Sequence, residues 1–139
     1  MNRDMQKKDV DAIDRQGRTA LFYASAKGDL AVVSKLIEAN ANVNVKDKDL
    51  NSPLHFAASS YQTAIADFLL KHGALPNAEN AHGNTPLSNA VFDSKGRGEM
   101  IRLLLSWGAS KTTKNHHGVS PEDLAKSIGN YDVAQFFEE

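Results

Sequence analysis

The sequence predicts an all-α solenoid of stacked helix pairs, and three observations predict it. The first is a recurring segment. Residues 52–58, Ser-Pro-Leu-His-Phe-Ala-Ala, are echoed at residues 19–24, 85–90 and 120–125, at offsets of 33, 33 and 35 residues. A fixed period of this size marks a stack of supersecondary units, each burying its apolar face only against its neighbours. The second observation is how the copies begin. The hydroxyl at Ser52 or Thr85 can accept a backbone N–H in the first turn of a helix. Pro53, Pro86 and Pro121 suit the first helical position, where the N–H would be unpaired anyway. The third is an apolar stripe at helical spacing behind the motif: Val32, Val33, Leu36 and Ile37, expected to be buried, in one unit, and Met100, Ile101, Leu103, Leu104 and Leu105 in another.

A T-P-L-H-x-A pattern at this period resembles the ankyrin-repeat family, and the likeness covers about residues 9–139. It implies helix-turn-helix repeats whose connecting β-turns project as a row of fingers. It also implies a concave face, made of fingers and first helices, that binds other proteins. In this register the chain is one domain, 1–139, with a partial turn at 1–13 and repeats at 14–46, 47–79, 80–114 and 115–139. Leu21, Leu54 and Leu87 stand one turn before Ala24, Ala57 and Ala90, whose small side chains let helices approach closely. Histidine titrates near neutrality and invites a catalytic reading. The resemblance instead implies that His55 bonds the backbone of the adjoining turn, as scaffold.

Taken in order, residues 1–8 suffice for about one helical turn, too short to stand alone. Either Met5 and its neighbours or a partner is expected to cover the outer face of repeat one. That repeat should hold a first helix over 19–27, stopped at Gly28, and a second over 30–39, stopped at Asn40. In repeat two, Leu50 replaces the turn glycine of Gly17, Gly83 and Gly118, and Tyr61 replaces the inter-helix glycine of Gly28 and Gly129. Each puts a side chain where glycine is the natural choice. Drift with local adjustment is one reading, and contact with a partner is the other. Repeat three carries the two surplus residues in the stretch 92–98, an inter-helix loop loosened by Gly96 and Gly98. Trp107 precedes Gly108 and either shields the helix end or anchors an interface. Repeat four has Glu122 in place of the motif leucine and a second helix over 131–137, the polar outer face of a terminal repeat. The chain is expected to end where a natural cap would.

Composition narrows the function. The formal net charge is −1, so no global field draws nucleic acid or an anionic membrane. No apolar run approaches a bilayer span, and residues 1–11 lack the apolar core of a signal peptide. With no cysteine there is no disulfide framework, which fits a cytoplasmic protein. G-x-S-x-G, the phosphate-cradling P-loop and H-E-x-x-H are all absent, so the chain is expected to be no enzyme and to need no cofactor. His82, His116 and His117 fall on neighbouring fingertips, but no cysteine or placed carboxylate completes a zinc set, and no metal is expected.

Partner-binding candidates follow from position. Finger one offers Arg15, Gln16 and Arg18, and finger two Lys48, Asp49, Leu50 and Asn51. Fingers three and four add Ala81, His82 and Asn84, then His116, His117 and Val119. First helices and their ends add Tyr23, Lys27, Phe56, Ser59, Ser60, Tyr61, Asn89, Phe92 and Asp93. Tyr23 and Phe56 serve equally well as half-buried packing. Lys and Arg against Asp and Glu leave +2, −2, +3 and −4 on the four repeats. Alternating patches suit a protein of complementary pattern, whereas a phosphate backbone wants one basic stripe. The expected function is non-catalytic binding of one protein, with neutralisation or regulation of it, as in the toxin-immunity proteins that the family resemblance brings in. The rivals are a scaffold fragment of a larger assembly and a nucleic-acid binder. The chain is expected to be monomeric alone.

Overall fold

A computed structural model describes residues 10–138. Among them are seven α-helices and a 3₁₀ helix: α1 (Ala20–Lys27), α2 (Leu30–Glu38), α3 (Pro53–Ser59), α4 (Thr63–Lys71), α5 (Pro86–Phe92), α6 (Glu99–Ser106), α7 (Pro121–Ser127) and the 3₁₀ helix Val133–Phe137. The odd-numbered helices stack in one row, and α2, α4, α6 and the 3₁₀ helix in a second row behind it. This is the all-α repeat solenoid that the period predicted.

The motif residues do the local work expected of them. Ser52, Thr85 and Ser120 accept the N–H of His55, Ser88 and Asp123, and proline follows each. Thr19, with Ala20 after it, makes no such bond, and its buried hydroxyl has no partner among the described residues. Leu21, Leu54 and Leu87 are fully or almost fully buried between the rows, with Ala57 and Ala90 beneath them. In repeat four the same position is Glu122, which pairs with Lys126 at 3.2 Å on the outer side. Gly28 ends α1 in the left-handed region (φ 84°), and Asn40 follows suit after α2 (φ 68°).

Three expectations need correction. Only Val33 of the first stripe is buried; Leu36 and Ile37 are half-buried, and Val32 is 39% exposed. Val32 stands at the outer end of the second row, whereas the equivalent Ile65 and Met100 lie inside the stack. The cover expected from Met5 lies outside the described residues. Gly129 does not take the left-handed conformation of Gly28, because α7 ends on Ile128 in extended backbone (φ −76°, ψ 114°). The last element is a five-residue 3₁₀ helix starting at Val133, not an α-helix from Tyr131. Such tight turns occur in short pieces of this kind.

Leu50 and Tyr61 do take positive φ, 61° and 55°. For Tyr61 the packing explains it. Its hydroxyl donates to the Arg97 carbonyl at 2.5 Å, and the Arg97 guanidinium lies 3.9 Å over its ring. The inserted loop is thereby fastened to repeat two. Its glycines fasten it to repeat four as well: a Cβ at Gly96 would lie 2.7 Å from the Tyr131 ring, and one at Gly98 2.5 Å from that of Phe136. The two surplus residues build a clasp across three repeats.

Candidate functional site

The fingers are built from one repeated device. Asp14, Asp47, Asn80 and Asn115 each turn a side-chain oxygen back onto the N–H groups two and four residues ahead. This is the side-chain mimicry of a backbone turn that Asp and Asn perform best. Neighbouring fingers are then joined by backbone bonds, from Lys48 N–H to the Gln16 carbonyl (2.8 Å), Ala81 to Asp49 (2.9 Å) and His116 to His82 (2.9 Å). A second ladder runs beside the first. Arg18 Nε donates to Asp47 Oδ2 (3.1 Å), Asn80 Nδ2 to Asn51 Oδ1 (3.1 Å) and Asn115 Nδ2 to Asn84 Oδ1 (2.9 Å). Each rung joins the end of one finger to the start of the next.

His55 forms the cross-tie between helices and fingers. Its Nδ1 accepts from the Ser52 N–H at 3.1 Å, and its Nε2 faces the Asn84 carbonyl at 2.9 Å. The N–H can only donate and the carbonyl can only accept. The ring is therefore held neutral, with its proton on Nε2. Burial pushes its pKa down to about 4; the Asn84 carbonyl opposes the shift, Lys46 adds to it and Asp47 resists it. His55 is scaffold, as the resemblance implied.

The ladder also absorbs some of the candidate contact residues. Arg18 is paired with Asp47, whose side chain is 1% exposed, and its guanidinium lies 4.8 Å over the Phe56 ring. Phe56 is half-buried and meets Phe22 edge to face at 5.1 Å. The Tyr23 hydroxyl donates to Asp14, which holds that carboxyl below its ordinary range. Asn51 is a rung, and Tyr61 holds the clasp. Exposed and free of the ladder's side-chain bonds are Arg15, Gln16, Lys27, Lys48, Asp49, Leu50, Ser60, His82, His116 and His117. The fingertip histidines do not converge: among the described residues no three His, Cys, Asp or Glu come close enough to hold a metal ion.

One group of candidates does come together. Ser59, Asn84, Asn89, Phe92, Asp93 and His117 line a cleft of about 420 Å³ on the concave side, completed by Ser88, Asn115, Val119, Ser120 and Leu124. Its shape follows from the repeat register. The position that holds Phe92 in repeat three holds Ala26, Ser59 and Ser127 in the others. Phe92 therefore projects between serines and is 75% exposed. A second cleft of about 260 Å³ lies on its far side, against Leu124, Ile128 and Tyr131. Burial raises the pKa of the half-buried Asp93 carboxyl, and a hydrogen bond from Ser59, then Lys95 and Arg97, act against it. Ser88 and Leu124 are lining residues that sequence reasoning missed. The signal was there: Ser88 holds the position of His55, and Leu124 that of Asn89.

Comparison with known proteins gives one family. A family model described as ankyrin repeats (3 copies) matches residues 27–115, and another, ankyrin repeats (many copies), matches residues 4–37. The "Probable 26S proteasome regulatory subunit p28" of Saccharomyces cerevisiae is 35% identical over 132 residues, which is 94% of this chain and 56% of that protein. The "Transient receptor potential cation channel subfamily A member 1" of Homo sapiens is 37% identical over 121 residues, 85% of this chain and 10% of the channel. The "Tyrosine-protein kinase HTK16" of Hydra vulgaris is 28% identical over 134 residues, 95% of this chain and 17% of the kinase. The chain thus spans little more than half of the yeast relative and far less of the other two.

Proposed function

This chain belongs to the ankyrin-repeat family, whose repeats generally mediate protein–protein interaction, and from that premise we propose that it binds one partner protein on its concave face. It does so without catalysis, as a cytoplasmic monomer and a single four-repeat domain, and it neutralises or regulates what it binds, in the manner of a toxin-immunity protein. Among the described residues no helix is long and apolar enough to cross a membrane. The observation that carries the reading is the state of the concave face. The inter-finger ladder is already satisfied, and yet Arg15, Lys48, Leu50 and Phe92 still project outward. The alternating charge of the repeats supplies orientation, since complementary patches steer encounter and reject wrong partners. A second reading has its own support. The chain covers only 17% of the Hydra kinase and 10% of the human channel, which suits a binding segment within a larger assembly.

Site-specific photo-crosslinking in the native host tests the first reading. A benzophenone side chain replaces Leu50 or Phe92 on the concave side, or Glu38 or Lys71 on the second helices. The concave sites are expected to trap one protein species, whose own activity then falls when the purified chain is added. Traps from Glu38 and Lys71 alone would place the interface on the outer helices and overturn the proposal. Capture of a partner whose activity does not respond would leave the adaptor reading.

A further inference from the structure

We infer that the cleft beside Phe92 receives an arginine side chain of the partner, gripped between the Asp93 carboxylate, the Asn89 amide and the Phe92 ring, with an aliphatic neighbour of that arginine in the second cleft. The inference rests on the concave-face reading and names the chemistry that face selects. Four observations support it.

The first is unspent hydrogen-bonding capacity. Asn89 on α5 and Asp93, at the C-cap of that helix, lie one turn apart and both line the cleft. Among the described residues the Asn89 side-chain amide makes no hydrogen bond, and Asp93 meets no cation at ion-pair distance. A half-buried carboxylate that already carries part of its desolvation cost gains most from a fitted cation. The second is the ring. Phe92 projects with its face uncovered by any cation among the described residues, whereas Phe56, Tyr61 and Phe136 are each covered by an arginine of this chain. Guanidinium on an aromatic face is how the chain itself uses three of its rings, and Phe92, at 75%, is the most exposed of the aromatic rings among the described residues.

The third is the preference between charges. The cleft offers a carboxylate, amide oxygens and hydroxyls, acceptors that a guanidinium with its five N–H groups can saturate. The cations facing Asp93 are Lys95 and Arg97. Arg97 is already engaged, donating to the Ser94 and Asp93 carbonyls at 2.8 and 3.0 Å and covering Tyr61. Lys95 borders the second cleft. His117 is the one other ionisable side chain of the first cleft, on its finger side. The fourth is size. A cleft of about 420 Å³ admits one long side chain with its stem, and the second, at about 260 Å³ and lined by Leu124, Ile128 and Tyr131, admits an aliphatic one.

The probe is the capped peptide acetyl-Gly-Arg-Leu-Gly-amide, titrated into ¹⁵N-labelled protein and followed by amide shifts. Its match carries citrulline in place of arginine, the same shape without the charge. Saturable shifts are expected in residues 89–93 and 117–124, with binding about tenfold weaker for the citrulline peptide and for Asp93→Asn, as the loss of a charged hydrogen-bond partner implies. Phe92→Ala is expected to weaken it about threefold, as loss of a cation–π contact implies. Phe92 is exposed and Asp93→Asn keeps its shape, so both variants fold; the unperturbed remainder of the spectrum checks this. Equal binding of the two peptides, indifference to Asp93→Asn, or no shifts would each overturn the inference. Shifts confined to the fingertips would sink the arginine cleft and leave concave-face binding standing. Failure of concave-face binding is read separately, in the crosslinking pattern.

Discussion

Acid should unfold this protein through one histidine. The neutral His55 ring accepts the Ser52 N–H on Nδ1 and donates Nε2–H to the Asn84 carbonyl. Protonation of Nδ1 would remove the acceptor and bury a charge. The native ring accordingly titrates at about 4, against the ordinary 6.5. The unfolded chain binds that proton first, so stability is full above about pH 6.5 and is lost as pH falls toward 4. A difference of about 2.5 pKa units corresponds to about 3 kcal/mol, a large share of the stability of a small domain. The assay is urea denaturation of wild type and His55→Ala between pH 7.5 and 4.5. Every other titratable group is common to both, so their difference isolates the ring. At neutral pH the variant should be less stable by about 1–3 kcal/mol, because a buried N–H and a buried carbonyl lose their partner. That gap should close by about 2–3 kcal/mol on reaching pH 4.5. A gap that stays constant with pH would refute the assigned tautomer and the two-sided bond.

The remaining predictions concern packing and backbone. Leu54→Ala should cost about 2–5 kcal/mol in the same denaturation, since Leu54 is almost wholly enclosed and leaves a cavity; a loss below half a kcal/mol would break the repeat register. Gly98→Ala should lower the thermal midpoint by an amount worth about 1–3 kcal/mol. Its backbone (φ −111°) suits alanine, so the Cβ that would meet Phe136 at 2.5 Å, added to the poorer fit of alanine at the α6 N-cap, accounts for the loss. Leu50→Gly should raise stability by up to about 1 kcal/mol by relieving a positive φ of 61°. The same change should weaken partner binding if this 47%-exposed leucine is kept for contact, and leave binding alone if it is drift.

The sequence by itself determined the repeat, its helices and its punctuation. A period of 33, a hydroxyl–proline start and a Gly or Asn stop are local rules, and each acts within a few residues of itself. The scaffold role of His55 was legible too, through the resemblance that implied its bond to the adjoining turn, whereas its second bond, from the Ser52 N–H, came only with the structure. Repetition carried the reading: one correct alignment places the helices of the first three repeats and the first helix of the fourth, and only the last element departs from it. Where the repetition fails, local rules run out. Nothing in residues 92–98 says that a two-residue insertion becomes a clasp, since Tyr61, Tyr131 and Phe136 reach it from both sides across 30 residues or more. Arg18 and Arg15 are both fingertip arginines in the sequence, and only the approach of the next finger pairs one of them with Asp47. The concave cleft was likewise decided by tertiary structure. Its members come from α3, α5, α7 and two fingers, and its depth depends on Phe92 standing between serines of other repeats. A linear sequence records which side chains exist, but stacking decides which of them are spent on one another and which are left for a partner.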